Sequence, residues 1–375
     1  MNTPDPGFKL AGELSARQRP PGLSVAVLAE RTARSDGFGF ADIETHQPAS
    51  PETVYLWFSM TKLVTATAIV QLAERGALEV DDPVGGFVSE FPSDDRGRRV
   101  TIRHLLSHTS GLANPIPVGW VRPADTPAAD LHEFTSRLLA KHSRLGSEPG
   151  DRARYSNLGY LVLGEVIEAA SGRSYADYVR SSILASLAMT STDFVYRDDM
   201  AARAATGYHP RFNVMTPLLR RMVPAGIFDH QVGRLWAFSR FCVQGAPYGG
   251  LVGTVHDAAR FLRLHLGGIE GSASKVLSPE GVAAMQLPTA RGRKLDVALG
   301  WFRRRGEDNG GARYWEHLGG GAGFFNTMRI YPDLKLGLVA MGNLTSWNYR
   351  TLARTVVDPT SSQSKTKPTG ADSRP

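Results

Sequence analysis

Ser59-Met60-Thr61-Lys62 opens a long apolar stretch that continues to Glu74, and this change of pattern decides the fold. The preceding residues 53–57 read Thr-Val-Tyr-Leu-Trp, which is β-branched and aromatic, so they predict a strand that reaches about residue 58. The helical pattern begins directly after that strand, and Gly76 marks its expected end. Ser59 is therefore expected at a helix N-terminus, where unpaired backbone N–H groups and the helix dipole favour developing negative charge.

Ser59 and Lys62 form a candidate nucleophile and base, because a residue three positions on returns to the same face of a helix. A serine hydroxyl is a poor nucleophile until a neighbouring base takes its proton, and a desolvated lysine can act as that base. Taken alone, Ser-x-x-Lys is more typical of a capping serine beside a solvated lysine. This helix, however, is apolar nearly all round, which predicts burial, and a buried lysine needs a partner or a lowered pKa.

Tyr155-Ser156-Asn157 is the second candidate element, placed just before a helical run that ends at Gly172. A tyrosine and an asparagine two positions apart on a loop can both point into one cavity. The phenol can share protons with Lys62 and Ser59, and the amide can bind Lys62 or a substrate carbonyl. The alternative is that Asn157 only caps the helix while Tyr155 packs, and the motif alone favours that alternative.

The third element is the glycine-rich stretch 317–324, which reads His-Leu-Gly-Gly-Gly-Ala-Gly-Phe between two predicted strands. Glycines at a strand edge allow a substrate to approach closely, and such an edge can supply a backbone N–H to an oxyanion. A phosphate-binding loop is a rival interpretation, but the spacing is not G-x-G-x-x-G and no helix follows directly. A simple glycine-rich hairpin also fits the stretch when it is taken alone.

In this order and at these separations, the three elements resemble the motifs of the serine β-lactamase and penicillin-binding-protein superfamily. The likeness is greatest to its class C branch, which includes esterases, D-aminopeptidases and related transferases. Residues 59–62 match S-x-x-K, residues 155–157 match Y-x-N, and residues 317–319 stand at the position of K-T-G. The resemblance runs from about residue 20 to 357, and its supporting strings are residues 105–112, 155–160, 249–254 and 256–261.

The order of elements predicts an α/β (α+β) fold, because strands at both ends of the chain enclose a helical middle. An antiparallel sheet flanked by helices would then join its two ends across an inserted all-helical domain, and the resembling family has that arrangement with the active site at the junction. The predicted parts are a sheet domain of residues 1–58 and 250–357, a mostly helical domain of residues 59–249, and a disordered tail of residues 358–375.

Residues 197–249 are rich in aromatic side chains, and their sequence pattern predicts secondary structure less clearly than any other part of the chain. In a family with an active-site cleft, such a segment could form a lid or an acyl-binding wall. Ordinary packing inside the helical domain is an equally good interpretation, so both alternatives stay open here.

The resemblance implies a two-step acyl transfer. Ser59 would be the nucleophile, Lys62 the general base and Tyr155 the general acid/base. Backbone N–H groups of Ser59 and Gly320 would stabilise the oxyanion. The substrate-binding positions that the resemblance implies are Asn157, His317, Gly319 and Gly320.

His317 departs from the pattern of penicillin-recognising members, which place a lysine there. An imidazole is mostly neutral at neutral pH, so the fixed cation opposite a substrate carboxylate is weakened. We therefore expect poor hydrolysis of penicillins and cephalosporins, with neutral esters, lactones or amides of small molecules as the preferred substrates.

Composition is that of an ordinary soluble protein: 375 residues, 42% hydrophobic and 21% charged, with net charge +7. The arginines are scattered without a long basic run, so no nucleic-acid partner is expected. Cys242 is the only cysteine, which excludes an internal disulfide and a cysteine-rich metal site. His104 and His108 have i,i+4 spacing but lack the H-E-x-x-H pattern, so neither a metal nor a cofactor is expected.

The N-terminal residues lack a charged segment followed by an apolar one, so they do not resemble a secretory signal. No stretch approaches 18 continuous apolar residues, and we expect no membrane segment and a cytoplasmic location.

Three function classes stay open at this stage. A serine hydrolase, with carboxylic ester hydrolysis favoured, leads. An acyltransferase would use the same acyl-enzyme but pass the acyl group to an alcohol or amine of a metabolite, and a roomy apolar wall from residues 197–249 would favour it. A non-catalytic binding or scaffold protein comes last, because a binder has no need of Ser59, Lys62 and Tyr155 together.

Overall fold

The computed structural model describes residues 5–29, 32–214, 216–268, 275–292, 294–305 and 312–358. The predicted tail therefore lies outside the described residues, apart from its first residue. The helices of the described chain are α1 (Pro6–Ala16), α2 (Thr61–Glu74), α3 (Ile102–Leu106), α4 (Leu131–His142), α5 (Asn157–Ser171), α6 (Tyr175–Val179), α7 (Asp198–Ala201), α8 (Thr216–Met222), α9 (Ala246–Gly249), α10 (Val255–His265), α11 (Pro279–Gln286) and α12 (Tyr349–Val357).

The strands of the described chain are mostly short. They are β1 (Gly22–Ala29), β2 (Thr32–Asp42), β3 (Gln47–Pro48), β4 (Val54–Leu56), β5 (Val121–Pro123), β6 (Thr192–Asp193), β7 (Gly207–Pro210), β8 (Phe228–Val232), β9 (Leu235–Phe238), β10 (Phe241–Val243), β11 (Val252–Thr254), β12 (Ala290–Arg291), β13 (Leu295–Val297), β14 (Phe302–Arg304), β15 (Trp315–Gly321), β16 (Phe324–Tyr331) and β17 (Leu336–Gly342).

One large antiparallel sheet joins the two ends of the chain, in the order β12-β13-β14-β15-β16-β17-β1-β2-β3. The junction is the pairing of β1 with β17, in which Val25 lies opposite Ala340. Side chains of a strand alternate between the two faces. Val25 accordingly packs in a small core with α1 and α12, while its neighbour Ala26 joins the main core. The predicted mixed fold, with an antiparallel sheet flanked by helices, is confirmed.

Helix α2 runs through the centre of the main core. Its residues from Thr61 to Leu72 are all buried, as the apolar pattern predicts for a helix without a solvent face. The strand predicted just before it is shorter than expected: β4 ends at Leu56 and belongs to a separate three-stranded sheet, β4-β11-β6. Since β11 pairs with β4, the chain just after residue 250 lies beside the start of α2.

Residues 197–249 contain more strand than a mostly helical region was expected to have. Strands β7, β9 and β8 form a small sheet, and β10 pairs with β5. Their aromatic rings contact one another, with centroids 5.0 Å apart for Phe228 and Phe238 and 6.4 Å apart for Phe238 and Phe241. The patterns of these strands are too short and irregular to be recognised as period 2. The division into two domains stays a prediction.

None of the described helices is both long enough and apolar enough to cross a membrane.

Candidate active site

The chain makes a tight turn between β4 and α2, and Ser59 lies in that turn. Residues Phe58–Met60 form one turn of 3₁₀ helix that leads into α2. Phe58 has a φ of 48°, in the left-handed region that a residue with a side chain adopts at an expense of about 1–2 kcal/mol. Its ring is held by Phe241 and Phe324, with centroids 6.3 and 6.5 Å away. Packing therefore fixes the backbone that presents Ser59.

Lys62 is fully buried one turn into the core. Its Nζ donates hydrogen bonds to the Tyr248 carbonyl at 2.7 Å and to Asn157 Oδ1 at 2.8 Å, and it lies 3.3 Å from Ser59 Oγ. None of these partners is a carboxylate. Burial therefore lowers the pKa of Lys62 well below its ordinary value of 10.5.

A neutral lysine amine has two N–H groups and one lone pair. The two short hydrogen bonds, to Tyr248 and Asn157, use both N–H groups. The lone pair is then left for the longer contact to Ser59 Oγ, which can donate its proton to it. In this arrangement the amine of Lys62 can act as the general base that takes the proton of the Ser59 hydroxyl.

Three tyrosine rings surround the amine of Lys62. The Nζ lies 4.9 Å from the ring centroid of Tyr155, 5.1 Å from that of Tyr248 and 5.4 Å from that of Tyr160. Ring faces attract a cation, so they oppose the effect of burial on the pKa and favour the ammonium once it forms. Desolvation is the larger effect for a fully buried amine without a counter-charge, and the rings assist after the proton has been taken.

Tyr155 lies on the other side of Ser59. Its hydroxyl donates to Ser59 Oγ at 2.7 Å. Burial raises the pKa of the Tyr155 phenol far above its ordinary value, so the group stays protonated. The phenol can therefore act as a proton donor to Ser59 Oγ, and the lowered pKa of Lys62 makes its neutral, proton-accepting form more accessible. A protonated phenol on one side of the serine hydroxyl and an amine with a lowered pKa on the other place a proton donor and a proton acceptor beside Ser59.

Ser156, not Asn157, caps helix α5. The Ser156 hydroxyl accepts the N–H of Gly159 at 3.0 Å, which satisfies one of the unpaired N–H groups at the helix start. The side chain of Asn157 is therefore available to accept from Lys62, and its own backbone N–H donates to Asn114 Oδ1 at 3.0 Å. The alternative in which Asn157 only caps the helix is wrong.

Strand β15 passes directly beside the turn that carries Ser59, and its glycines make this approach feasible. A Cβ on Gly319 would lie 2.0 Å from the Trp57 carbonyl oxygen, and one on Gly321 would lie 2.2 Å from the Phe58 ring. Strand β14 pairs with β15 only at Glu316, opposite Phe302. Among the described residues, no strand pairs with that edge of β15 beyond Glu316. The edge next to Ser59 is therefore available to a ligand.

Gly319→Ala is expected to destabilise the fold by about 1–3 kcal/mol, because the new methyl group would collide with backbone that cannot move without the turn. It should also lower kcat/KM for an ester substrate by roughly 10²-fold, since it displaces Ser59 from its partners. Urea unfolding and ester kinetics measure the two effects. Gly85→Ala is the matched control, because a Cβ there meets nothing within 4 Å. Equal behaviour of the two variants would contradict the close approach of β15.

His317 does not present a cation to the cleft. Its imidazole is 2% exposed, and its Nδ1–H donates to the Leu318 carbonyl at 2.9 Å. Burial lowers the pKa of His317 to about 3. The neutral imidazole that the sequence predicts is thus also directed inward, with the Phe302 ring 5.2 Å away.

Three further groups belong to the site. The Tyr248 carbonyl accepts a hydrogen bond from Lys62 Nζ, and the Tyr160 ring lies beside the same Nζ. His108 accepts the Ser156 backbone N–H on Nδ1 at 3.1 Å, and its ring lies 4.6 Å from the Tyr155 ring. The string at residues 105–112 could have pointed to His108. A backbone carbonyl such as that of Tyr248 leaves no signal in a sequence.

His104 and His108 have separate partners and form no joint metal site. The Nδ1 of His104 accepts the Thr101 N–H at the start of α3, whereas His108 faces Tyr155. Within the described ranges, the group of metal-binding residue types that comes together is Glu90, His132 and Glu165. There the His132 imidazole lies between the two carboxylates and already pairs with both.

Known proteins match this chain along most of its length. The sequence model of the beta-lactamase family matches residues 9–359. Penicillin-binding protein 4* of Bacillus subtilis (strain 168) is 30% identical over 319 residues, which cover 82% of this chain and 64% of that protein. Protein flp of Staphylococcus aureus (strain MRSA252) is 29% identical over 234 residues, which cover 56% of this chain and 44% of that protein.

Among solved structures, the octameric penicillin-binding protein homologue from Pyrococcus abyssi has a TM-score of 0.75 and 25% identity, and the match covers 94% of this chain and 76% of that one. The matched region is less than half of protein flp, so the activity of that whole protein does not transfer with the match. The family match nevertheless extends over nearly all of the described residues and includes all three motifs. The chain therefore belongs to the beta-lactamase family.

Proposed function

We propose that the chain is a serine hydrolase that cleaves ester or amide bonds of small molecules, carboxylic esters foremost, through an acyl-enzyme on Ser59. The observation that carries the proposal is the position of Ser59 Oγ. It lies 3.3 Å from the buried amine of Lys62 and 2.7 Å from the protonated hydroxyl of Tyr155. A family member with a structural role alone has no need of a desolvated base on one side of a serine and an acid on the other.

In the first step, Ser59 Oγ attacks the substrate carbonyl carbon while its proton passes to Lys62 Nζ. The carbonyl oxygen becomes an oxyanion, for which we propose the backbone N–H groups of Ser59 and Gly320 as donors. One such donor contributes roughly 3 kcal/mol to transition-state stabilisation. The ammonium that forms on Lys62 keeps its hydrogen bonds to Asn157 and Tyr248, and the surrounding tyrosine rings stabilise it.

In the second half of the first step, the bond from carbon to the leaving group breaks. Tyr155 donates its proton to the departing oxygen or nitrogen, and the proton that Lys62 took from Ser59 then returns to the Tyr155 oxygen. Water then attacks the acyl carbon and gives a proton to Lys62 by way of Tyr155. That proton returns to Ser59 Oγ as the acid is released, which restores the free enzyme. Asn157 holds Lys62 throughout and remains within reach of a substrate amide.

The inward, neutral His317 argues for substrates without a carboxylate beside the scissile bond. We expect measurable turnover of short-chain p-nitrophenyl esters and, for benzylpenicillin or a chromogenic cephalosporin, kcat/KM lower by roughly 10²-fold or more, the scale set by an unpaired charge at a binding site. Parallel kinetics with both substrate classes test this expectation. Cephalosporin turnover that equals or exceeds ester turnover would contradict it.

Acyl transfer to an alcohol or amine remains the second candidate, since it uses the same intermediate. A roomy wall from residues 197–249 would have favoured it. The aromatic rings there pack closely on one another, and the Phe241 ring packs against the Phe58 ring. These contacts add no support for transfer, so hydrolysis leads.

A further inference from the structure

A second serine is paired with a histidine outside the site of Ser59. Ser35 lies on β2 and His256 at the start of α10, separated by 221 positions in the chain. The Ser35 Oγ and the His256 Nε2 lie 2.6 Å apart. The other ring nitrogen of His256, Nδ1, is bonded to the carboxylate of Glu52. The hydrogen-bonded chain Ser–His–Glu has the arrangement of a catalytic triad, in which the serine is the nucleophile, the histidine is the base and the carboxylate orients the histidine.

The hydrogen bonds fix which nitrogen of His256 carries the proton. A carboxylate can only accept, so Nδ1–H donates to Glu52, and Nε2 is left to accept the proton of the Ser35 hydroxyl. The Glu52 carboxylate is itself held by Arg203, whose Nη1 lies 3.2 Å from its other oxygen. Each member of the set is therefore oriented by the next, which is the geometric criterion for an activated serine.

Ser35 and His256 open into a pocket of about 190 Å³ between the sheet and α10. Its apolar lining includes Ala26, Leu28 and Ala259, and Arg260 and Arg263 also line it. One Nη of Arg260 is engaged by Asp257 and by the Ala188 carbonyl. The two guanidinium groups have several N–H donors each, and on this side of the pocket they can hydrogen-bond an acyl group that ends in a carboxylate.

We propose that Ser35 is a second nucleophile of this protein, activated by His256 and oriented by Glu52, that is acylated by small esters with an anionic acyl group. Ser35 Oγ bonds to the acyl carbon as its proton passes to His256 Nε2. The bond from the acyl carbon to the leaving oxygen breaks, and the proton on His256 Nε2 passes to that oxygen, so that the leaving group departs as the alcohol or phenol and His256 is neutral again. Water then attacks the acyl carbon with His256 as base, which releases the acid and regenerates Ser35. Neither Ser59 nor Lys62 takes part.

The test uses the full chain with Ser59→Ala, so that the site of Ser59 is silent. The probe is the mono-p-nitrophenyl ester of succinic acid, with p-nitrophenyl acetate for comparison, and the readout is intact mass followed by peptide mapping. We expect one succinyl adduct, on the peptide that contains Ser35, formed faster than the acetyl adduct. Adding Ser35→Ala should abolish it, and adding His256→Gln should slow it by roughly 10²-fold or more.

Ser89→Ala is the matched control, because Ser89 is exposed and its hydroxyl contacts Glu90 instead of a histidine. It should leave the adduct unchanged. Glu52→Gln is a second variant of the same set and should slow acylation without removing Ser35, which keeps the test decisive where His256→Gln is poorly folded. No adduct on Ser35, an equal adduct on Ser89, or acylation in the His256 and Glu52 variants as fast as in the Ser59→Ala protein alone would overturn the proposal. Because every sample lacks Ser59, these outcomes are independent of the activity proposed for Ser59.

Discussion

Ser59→Ala is expected to lower kcat/KM for a short-chain p-nitrophenyl ester by roughly 10⁴-fold or more, because loss of a nucleophile removes the covalent route as a whole. The variant should fold normally, since Ser59 lies in a half-buried turn whose backbone is fixed by the rings around Phe58. Steady-state kinetics and a thermal melt check the two statements.

Ser107→Ala is a suitable control for Ser59→Ala, because Ser107 is a buried serine whose hydroxyl bonds to the Arg103 carbonyl and to Thr109. Its replacement should change stability more than activity. Retention of ester turnover by the Ser59 variant, within tenfold of the unchanged protein as a rough limit, would remove the nucleophile assignment.

Lys62→Met is expected to lower kcat/KM by roughly 10²–10⁴-fold, the usual range for loss of a general base, while keeping most of the buried volume. Lys141→Met is the matched control, because Lys141 is exposed at the end of α4. It should leave the kinetics unchanged. Equal activity of the two lysine variants would show that Lys62 is only a structural hydrogen-bond donor to Asn157 and Tyr248.

The same variant should change how stability depends on pH. Burial lowers the pKa of Lys62 in the folded state, so the unfolded chain binds more protons at every pH between that lowered value and about 10.4. The contribution of Lys62 to the free energy of unfolding therefore rises with pH in this window, by up to about 1.4 kcal/mol per pH unit. Urea unfolding at about pH 7 and about pH 9.5 should show a smaller rise for Lys62→Met than for the unchanged protein. Parallel curves would mean that Lys62 is protonated in the fold.

The sequence predicts the centre of this molecule well, because its patterns are local. An all-apolar helix that begins with Ser-x-x-Lys must bury its lysine, and α2 does so. Tyr155 lies just before helix α5 and Asn157 is its first residue, and because Ser156 caps the helix, the side chains of Tyr155 and Asn157 are available for Ser59 and Lys62. The burial of Lys62 and the capping by Ser156 follow from residues within one or two helical turns of each other. The contacts of Tyr155 with Ser59 and of Asn157 with Lys62 join positions 96 and 95 apart, and the order of the motifs indicated them.

Other contacts between distant parts of the chain could not be predicted from the sequence. The acceptor that completes the environment of Lys62 is the carbonyl of Tyr248, 186 positions away, and any residue type could supply it. Strands β7, β8 and β9 form a sheet from segments without clear alternation, stabilised by rings such as Phe228 and Phe238. Ser35 and His256 meet only because β2 lies beside α10, which no local pattern encodes.

The most direct test of the central claim is to trap the acyl-enzyme. The unchanged protein would be mixed with a short-chain p-nitrophenyl ester or a fluorophosphonate, quenched at short times, and analysed by intact mass and peptide mapping against Ser59→Ala. A first, fast adduct on the peptide that contains Ser59, absent from the variant, is the predicted result. A first adduct that forms as fast in the variant as in the unchanged protein, or a folded protein that turns over the ester with no adduct on Ser59, would contradict the account.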